Sequence, residues 1–207
     1  MTESTSAAPT TRLSARLRED TKDVHRAAER SGIMRGLLRG ELSRDAYIAL
    51  LTNLRAVYVG LEGALGKHAS DPLIAPFHFA EIFRTSSLDA DLRALGGDVS
   101  CVTPAGEAYA AHVANASPLQ LIAHAYVRYL GDLSGGQILK RVIGKALGSS
   151  DGLSFYDFPG IADLDAYKND FRAKLDGLSL TDADVQRVVD EARSGFEMNM
   201  RVFDSIV

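Results

Sequence analysis

The sequence predicts an all-α fold, on three observations. Apolar residues recur at spacings of three and four in seven segments, at 11–30, 43–67, 73–95, 104–115, 118–148, 161–176 and 182–205, the periodicity of amphipathic helices. Strand-like alternation of β-branched residues is scarce, and no hairpin turn separates such runs. All six prolines, Pro9, Pro72, Pro76, Pro104, Pro118 and Pro159, fall at segment edges, where a missing N–H costs no helical hydrogen bond. The 207 residues, 46% of them hydrophobic, suffice for a single-domain multi-helix bundle with a substantial core.

The opening "MTESTSAAPTT" is small and polar, so residues 1–10 are expected to form a flexible tail ahead of a domain at 11–207. It lacks the basic and apolar regions of a secretion signal. No run is expected to reach the roughly 18 apolar residues of a membrane span, so no membrane anchor is predicted. A net charge of −4 argues against a nucleic-acid partner, because neutralising phosphates needs a basic face. A single cysteine, Cys101, excludes an internal disulfide and a Cys-rich metal site. These traits predict a soluble cytoplasmic chain, and a monomer.

In the first segment, "LREDTKDVHRAAERSGIM" sets His25 one turn before Glu29, with Arg18 two turns before His25. Such a pair usually sits on the surface. Alternatively, a carboxylate at i+4 fixes the imidazole tautomer directly or through water and leaves the other nitrogen for a metal. His68, His78, His112 and His124 show no HxxxH spacing, which argues against a conventional zinc or di-iron site. One histidine suffices only where iron arrives already held by a porphyrin.

Helix starts are marked by Asp71-Pro72, Thr103-Pro104 and Ser117-Pro118, each an N-cap residue followed by proline at the first helical position. The segment 118–148 contains "YVRYLGDLSGGQILKR", with Gly131, Gly135 and Gly136 inside six positions. Each interior glycine costs roughly 1 kcal/mol relative to alanine. On a 3.6-residue repeat Arg128, Gly131, Asp132, Gly135 and Leu139 share one face. Close helix packing and a helix kink both explain glycines here. A flat ligand lying on the bare backbone explains Asp132 as well, since a carboxylate is a poor ingredient for a dry helix contact.

The loop "GSSDGLSFYDFPGI" holds three aromatics and is expected to pack down. In 161–176, "AYKNDFRAKL" sets Lys168 and Arg172 one turn apart, a cationic pair that solvates or receives carboxylates. In the last segment Val185, Val189, Ala192, Phe196, Asn199 and Phe203 form one stripe. Asn199 is polar in an apolar row and needs a partner, because an unpaired buried amide costs about 1–3 kcal/mol.

Taken together, "TKDVHRAAE", "HAYVRYLGDLSGGQILKR", "FYDFPGI", "YKNDFR" and "FEMNMRVF" resemble, in order, the motifs of the haem oxygenases of the soluble bacterial type, from about Leu13 to Phe203. The resemblance implies haem b as cofactor and substrate, O2 as co-substrate, and cleavage to biliverdin, CO and iron through ferric hydroperoxide attack on a meso carbon, α by family default. It implies His25 as the axial iron ligand with Glu29 behind it. It implies Gly131 and Gly135 as a bare distal backbone, and Asp132 as the holder of a water network shared with Tyr58, Arg128 and Asn199. It implies Arg18, Tyr126, Lys168 and Arg172 at the propionates, and Met34, Phe196 and Phe203 in the pocket wall. Where the family usually has lysine this chain has Arg18, and the planar fork is not equivalent to an ammonium, which bears on ring orientation. The implied partner is an external electron donor: a ferredoxin, a flavodoxin or a flavoprotein reductase.

Two other classes compete. A haem carrier or sensor would also use His25 and the cationic pair, but gains nothing from Asp132 beside two glycines. An enzyme of a related helical fold acting on small heterocycles would need a cysteine nucleophile, and Cys101 has no paired base at recognisable spacing.

Overall fold

The computed structural model describes residues 12–77 and 80–206; the predicted tail and His78 lie outside them. Among the described residues every regular element is helical. The first predicted segment is two helices, α1 (Leu13–Asp20) and α2 (Lys22–Ala28). They part at buried Thr21, whose hydroxyl donates to the Leu17 carbonyl at 2.6 Å, the back-bond that bends helices. A further helix, α3 (Gly32–Arg39), was not expected. It starts at Gly32, whose φ is +40° and whose backbone is pressed so closely on Phe203 that a Cβ would collide with the Phe203 carbonyl.

The long helix α4 (Arg44–Lys67) begins where the periodicity places it, with the Ser43 hydroxyl accepting from the Ala46 N–H at 3.1 Å. It corrects one expectation, since by length and composition it is apolar enough to cross a membrane. Its apolar residues are those of a core helix, however, with Leu50, Leu51, Leu54, Leu61 and Leu65 buried against neighbouring helices.

The segment 73–95 is also corrected. Asp71 does not start an α-helix; its carboxylate caps the Leu73 N–H at 2.8 Å in a turn. Short 3₁₀ turns follow at Ala75–Phe77 and Ala80–Ile82, and α5 covers only Thr85–Leu95. Pro76 lacks the N–H that a continuous ladder there would need. By contrast α6 (Pro104–Ala114) and α7 (Pro118–Ala125) start at their Thr103 and Ser117 caps.

The predicted helix 118–148 is interrupted. After α7 comes a π-helical turn, Tyr126–Leu130, and only then α8 (Gly131–Leu147), ended by Gly148 at φ +64°. The aromatic loop packs down as expected. Phe155, Tyr156 and Phe158 are buried, with Asp91 accepting from the Ser154 and Phe155 N–H groups at 2.8 and 2.7 Å. Arg84 lies 4.0 Å over the Phe158 ring. Next comes α9 (Leu164–Asp176), capped by Asp163, and then α10 (Asp182–Asp204), opened by a reciprocal capping box between Thr181 and Asp184.

In the assembled bundle α4 packs against α5, α6 and α7. The last helix, α10, crosses α1, α2, α3, α6 and α7, while α3 meets α8. One cleft is left between α2, α3, α8 and α10.

Candidate active site

The lining of this cleft includes His25 and Glu29 from α2, Met34 from α3, Arg128 from the π turn, Gly131 and Asp132 from α8, and Phe196, Asn199 and Phe203 from α10. Residues 178 positions apart thus face one space. His25 is 53% exposed, its Nε2 3.8 Å from Glu29 Oε1. That is beyond direct hydrogen-bond range. The imidazole lies against Phe196, ring centroids 5.3 Å apart.

The glycine strip proves open rather than packed. A Cβ built at Gly131 or Gly135 meets nothing within 4 Å, whereas one at Gly136 comes within 3.3 Å of the Tyr156 ring. Close helix packing therefore explains Gly136 alone. The kink reading also holds a part of the truth, because the ladder loosens in the π turn just ahead of Gly131.

Behind the strip lies a polar network on four side chains. Tyr58 hydroxyl donates to the Asp132 carboxylate and accepts from Arg128 Nε at 3.2 Å. Arg128 also donates to Asn199 Oδ1 at 2.8 Å and reaches Asp132 Oδ1 at 3.5 Å. Asn199 Nδ2 donates to the Gly195 carbonyl at 3.0 Å. The awkward amide of the α10 stripe is thereby satisfied directly. Burial pushes the Asp132 carboxyl up from its ordinary value, and the Arg128 charge and the Tyr58 hydroxyl oppose that. A buried carboxylate beside a buried guanidinium is costly to desolvate, and here hydrogen bonds from Tyr58 and to Asn199 hold the pair.

Tyr58 is fully buried behind Asp132 and does not line the cleft, while Gly135 continues the open strip one turn beyond the wall residue Gly131. The four residues expected at the propionates, Arg18, Tyr126, Lys168 and Arg172, also lie off the cleft wall. Tyr126 neighbours Thr21 and lies within electrostatic reach of both Arg172 and Arg18. Lys168 pairs with Asp165 at 2.7 Å, and Arg172 donates to Asn169 at 3.0 Å. Arg18, Tyr126 and Arg172 are thus brought together from three elements. Cys101 is exposed, and it does not line the cleft.

Several wall residues escaped the sequence reading: Leu37, Leu50, Leu54, Phe155 and Tyr156. Leu50 and Leu54 carried a signal, one turn apart on an apolar helix. Leu37 did not, because its helix was not foreseen.

A family model described as heme oxygenase matches residues 11–205. The chain belongs to the haem oxygenase family. It is 38% identical over 205 residues to human heme oxygenase 1, covering 94% of this chain and 71% of that protein. It is equally identical to heme oxygenase 1 of Synechocystis, over 94% of this chain and 84% of that one. Among solved structures, Synechocystis heme oxygenase-1 in complex with heme superposes with a TM-score of 0.89, covering 94% of this chain and 91% of that one at 38% identity. Heme oxygenase from Leptospira interrogans gives 0.89 at 34% identity, covering 94% and 99%. The all-α haem oxygenase fold therefore extends across the described helices, and the cleft of α2, α3, α8 and α10 lies within the matched region.

Proposed function

We infer that this haem oxygenase cleaves haem with O2 and reducing equivalents to biliverdin, CO and iron. The observation that carries the reading is the open strip at Gly131 and Gly135, backed by the buried Asp132–Arg128–Tyr58–Asn199 network and sharing its cleft with His25. The residues present fit a flat macrocycle. Two glycines without Cβ neighbours leave backbone surface free, an exposed imidazole is available for the iron, and apolar Met34, Phe196 and Phe203 line the walls. When bound, haem supplies both the iron that activates O2 and the ring that is opened.

The chain's own residues have separable tasks. His25 holds the iron by one ring nitrogen, while Glu29 steadies the other through water. Imidazole is a weaker electron donor than the thiolate that drives O–O cleavage in other haem proteins. Asp132, held by Tyr58 and Arg128, positions water on the distal side and keeps a proton at its carboxylate edge without aiming a strong acid into the cleft. Asn199 anchors the Arg128 fork, so the guanidinium cannot swing toward the ligand. Arg18, Tyr126, Lys168 and Arg172 would receive the propionates and so orient the ring. The reducing equivalents would come from an external electron donor, a ferredoxin, flavodoxin or flavoprotein reductase.

The deciding experiment follows the visible spectrum of the haemin-reconstituted protein as reductant is added in air, with catalase present. Decay of the Soret band with growth of the broad red absorption of biliverdin is expected. Tight haem binding that only cycles between ferric and oxy forms would replace turnover with a carrier. Asp132→Ala should keep haem and lose verdin formation by about 100-fold or more. Full ring opening by that variant removes Asp132 from its role. His25→Ala should lose the imidazole ligation signature in the spectrum.

A further inference from the structure

Outside the haem cleft, three helices bring two imidazoles and a carboxylate to one point. His112 on α6 and His124 on α7 both place Nε2 on the same oxygen of Glu191 on α10, at 2.6 and 2.8 Å. The three ligand atoms lie within 4.8 Å of one another. The separations along the chain are 79 and 67 residues, so no spacing motif announces them.

The outer contacts are those that orient metal ligands. The Tyr109 hydroxyl lies 3.4 Å from His124 Nδ1, and Gln120 donates to Glu191 Oε2 at 3.1 Å. The His124 side chain is fully buried, that of Glu191 is 13% exposed and that of His112 is 37% exposed, which leaves one side open to water. Burial alone would raise the Glu191 carboxyl, but hydrogen bonds from His124, His112 and Gln120 outweigh it and bring it down to about 2. A hydrogen-bonded pair would already satisfy the buried ring of His124. The half-exposed His112 could turn to solvent at no cost, yet it converges on the same oxygen.

We propose that His112 Nε2, His124 Nε2 and a Glu191 oxygen bind a divalent first-row transition cation of the Zn(II) type, with a fourth position open to water. Two imidazoles and a carboxylate suit that class. With bonds of about 2.0–2.1 Å, tetrahedral ligand atoms stand roughly 3.3 Å apart, so each ring must withdraw by about half an ångström. The His112 side chain is free to do so, and bare Gly195 gives the His124 ring room, since a Cβ there would come within 3.3 Å of Nδ1. Ligation requires the Nε2 lone pair of both rings, so each ring proton moves to Nδ1, where His124 donates it to the Tyr109 oxygen and His112 to water. No proton is released by that exchange. Tyr109 in turn neighbours Asn199, which links this site to the polar network of the haem cleft.

The test is titration of the haem-free full chain with Co(II), read by its visible d–d absorption, and with Zn(II) by calorimetry. One saturable site is expected, with Zn(II) displacing Co(II). His112→Ala and Glu191→Gln should each weaken binding by roughly 10- to 100-fold or more. His25→Ala should leave the Co(II) signal unchanged, which separates this site from the haem ligand. His112 is on a half-exposed face, so a normal haemin titration verifies that His112→Ala is folded even if Glu191→Gln is not. Equal Co(II) affinity in wild type and a folded His112→Ala variant, or no saturable Co(II) spectrum at all, overturns the site.

Discussion

At the residue scale, the glycines of α8 divide by what surrounds them. Gly135 is interior to the helix and meets open space, so adding a methyl removes a propensity cost without a clash. Gly135→Ala should therefore stabilise the haem-free protein by about 0.5–1 kcal/mol, while weakening haemin affinity. Thermal denaturation and a haemin titration read the two effects, and a destabilised apo variant would mean that the strip is packed after all. Asn199 behaves in the opposite way. Its amide joins Arg128 to the Gly195 carbonyl, so Asn199→Leu leaves a buried guanidinium short of an acceptor and should cost about 1–3 kcal/mol. Chemical denaturation of the haem-free chain measures it. The need for a partner at Asn199 was legible from its place in an apolar stripe; the identity of that partner was not, because Arg128 lies 71 residues away.

At the element scale, helix ends with local signals were readable and interruptions were not. Of the caps read in the sequence, Thr103 and Ser117 open the helices that follow while Asp71 caps only a turn; Ser43 and Thr181 are further caps. The break at Thr21 depends on a hydroxyl choosing the Leu17 carbonyl, and the π turn at Tyr126–Leu130 has no residue that requires it. The helix carrying Phe196, Asn199 and Phe203 should be sensitive at its start. Thr181→Ala removes the cap of α10 and should cost about 0.5–2 kcal/mol. The Asp184 carboxyl is held below its ordinary value of 3.8, chiefly by the hydrogen bond from the Thr181 hydroxyl. A lowered value means that its stabilisation is present above the unfolded-state pKa and drains away as pH falls through the folded one. Asp184→Ala should therefore lower the melting temperature at pH 7, and the gap to wild type should close as the pH falls through the lowered folded-state value. A gap that persists in acid would show that the carboxylate charge is not what the cap uses.

At the scale of the whole molecule, the cleft exists because α10 crosses α2 and α3 while α3 meets α8. A ligand filling it bridges all four, so haemin at a hundredfold excess over its Kd should stabilise the fold by about 2.7 kcal/mol. The haem-dependent rise in melting temperature checks it, and no rise would mean that haem does not bind the folded chain in preference to the unfolded one. The sequence by itself determined the helical class, most helix starts, the packed aromatic loop and the candidate residues His25, Asp132 and Asn199. Those follow from periodicity, capping and motif, which act over a few residues. Only the tertiary structure decided that Gly131 and Gly135 face open space while Gly136 packs on Tyr156, and that α3 and α4 form cleft wall and core. It alone brought His112, His124 and Glu191 together. Each of these depends on which faces meet after the chain has folded, and helix-to-helix contacts between residues dozens of positions apart leave no period to read.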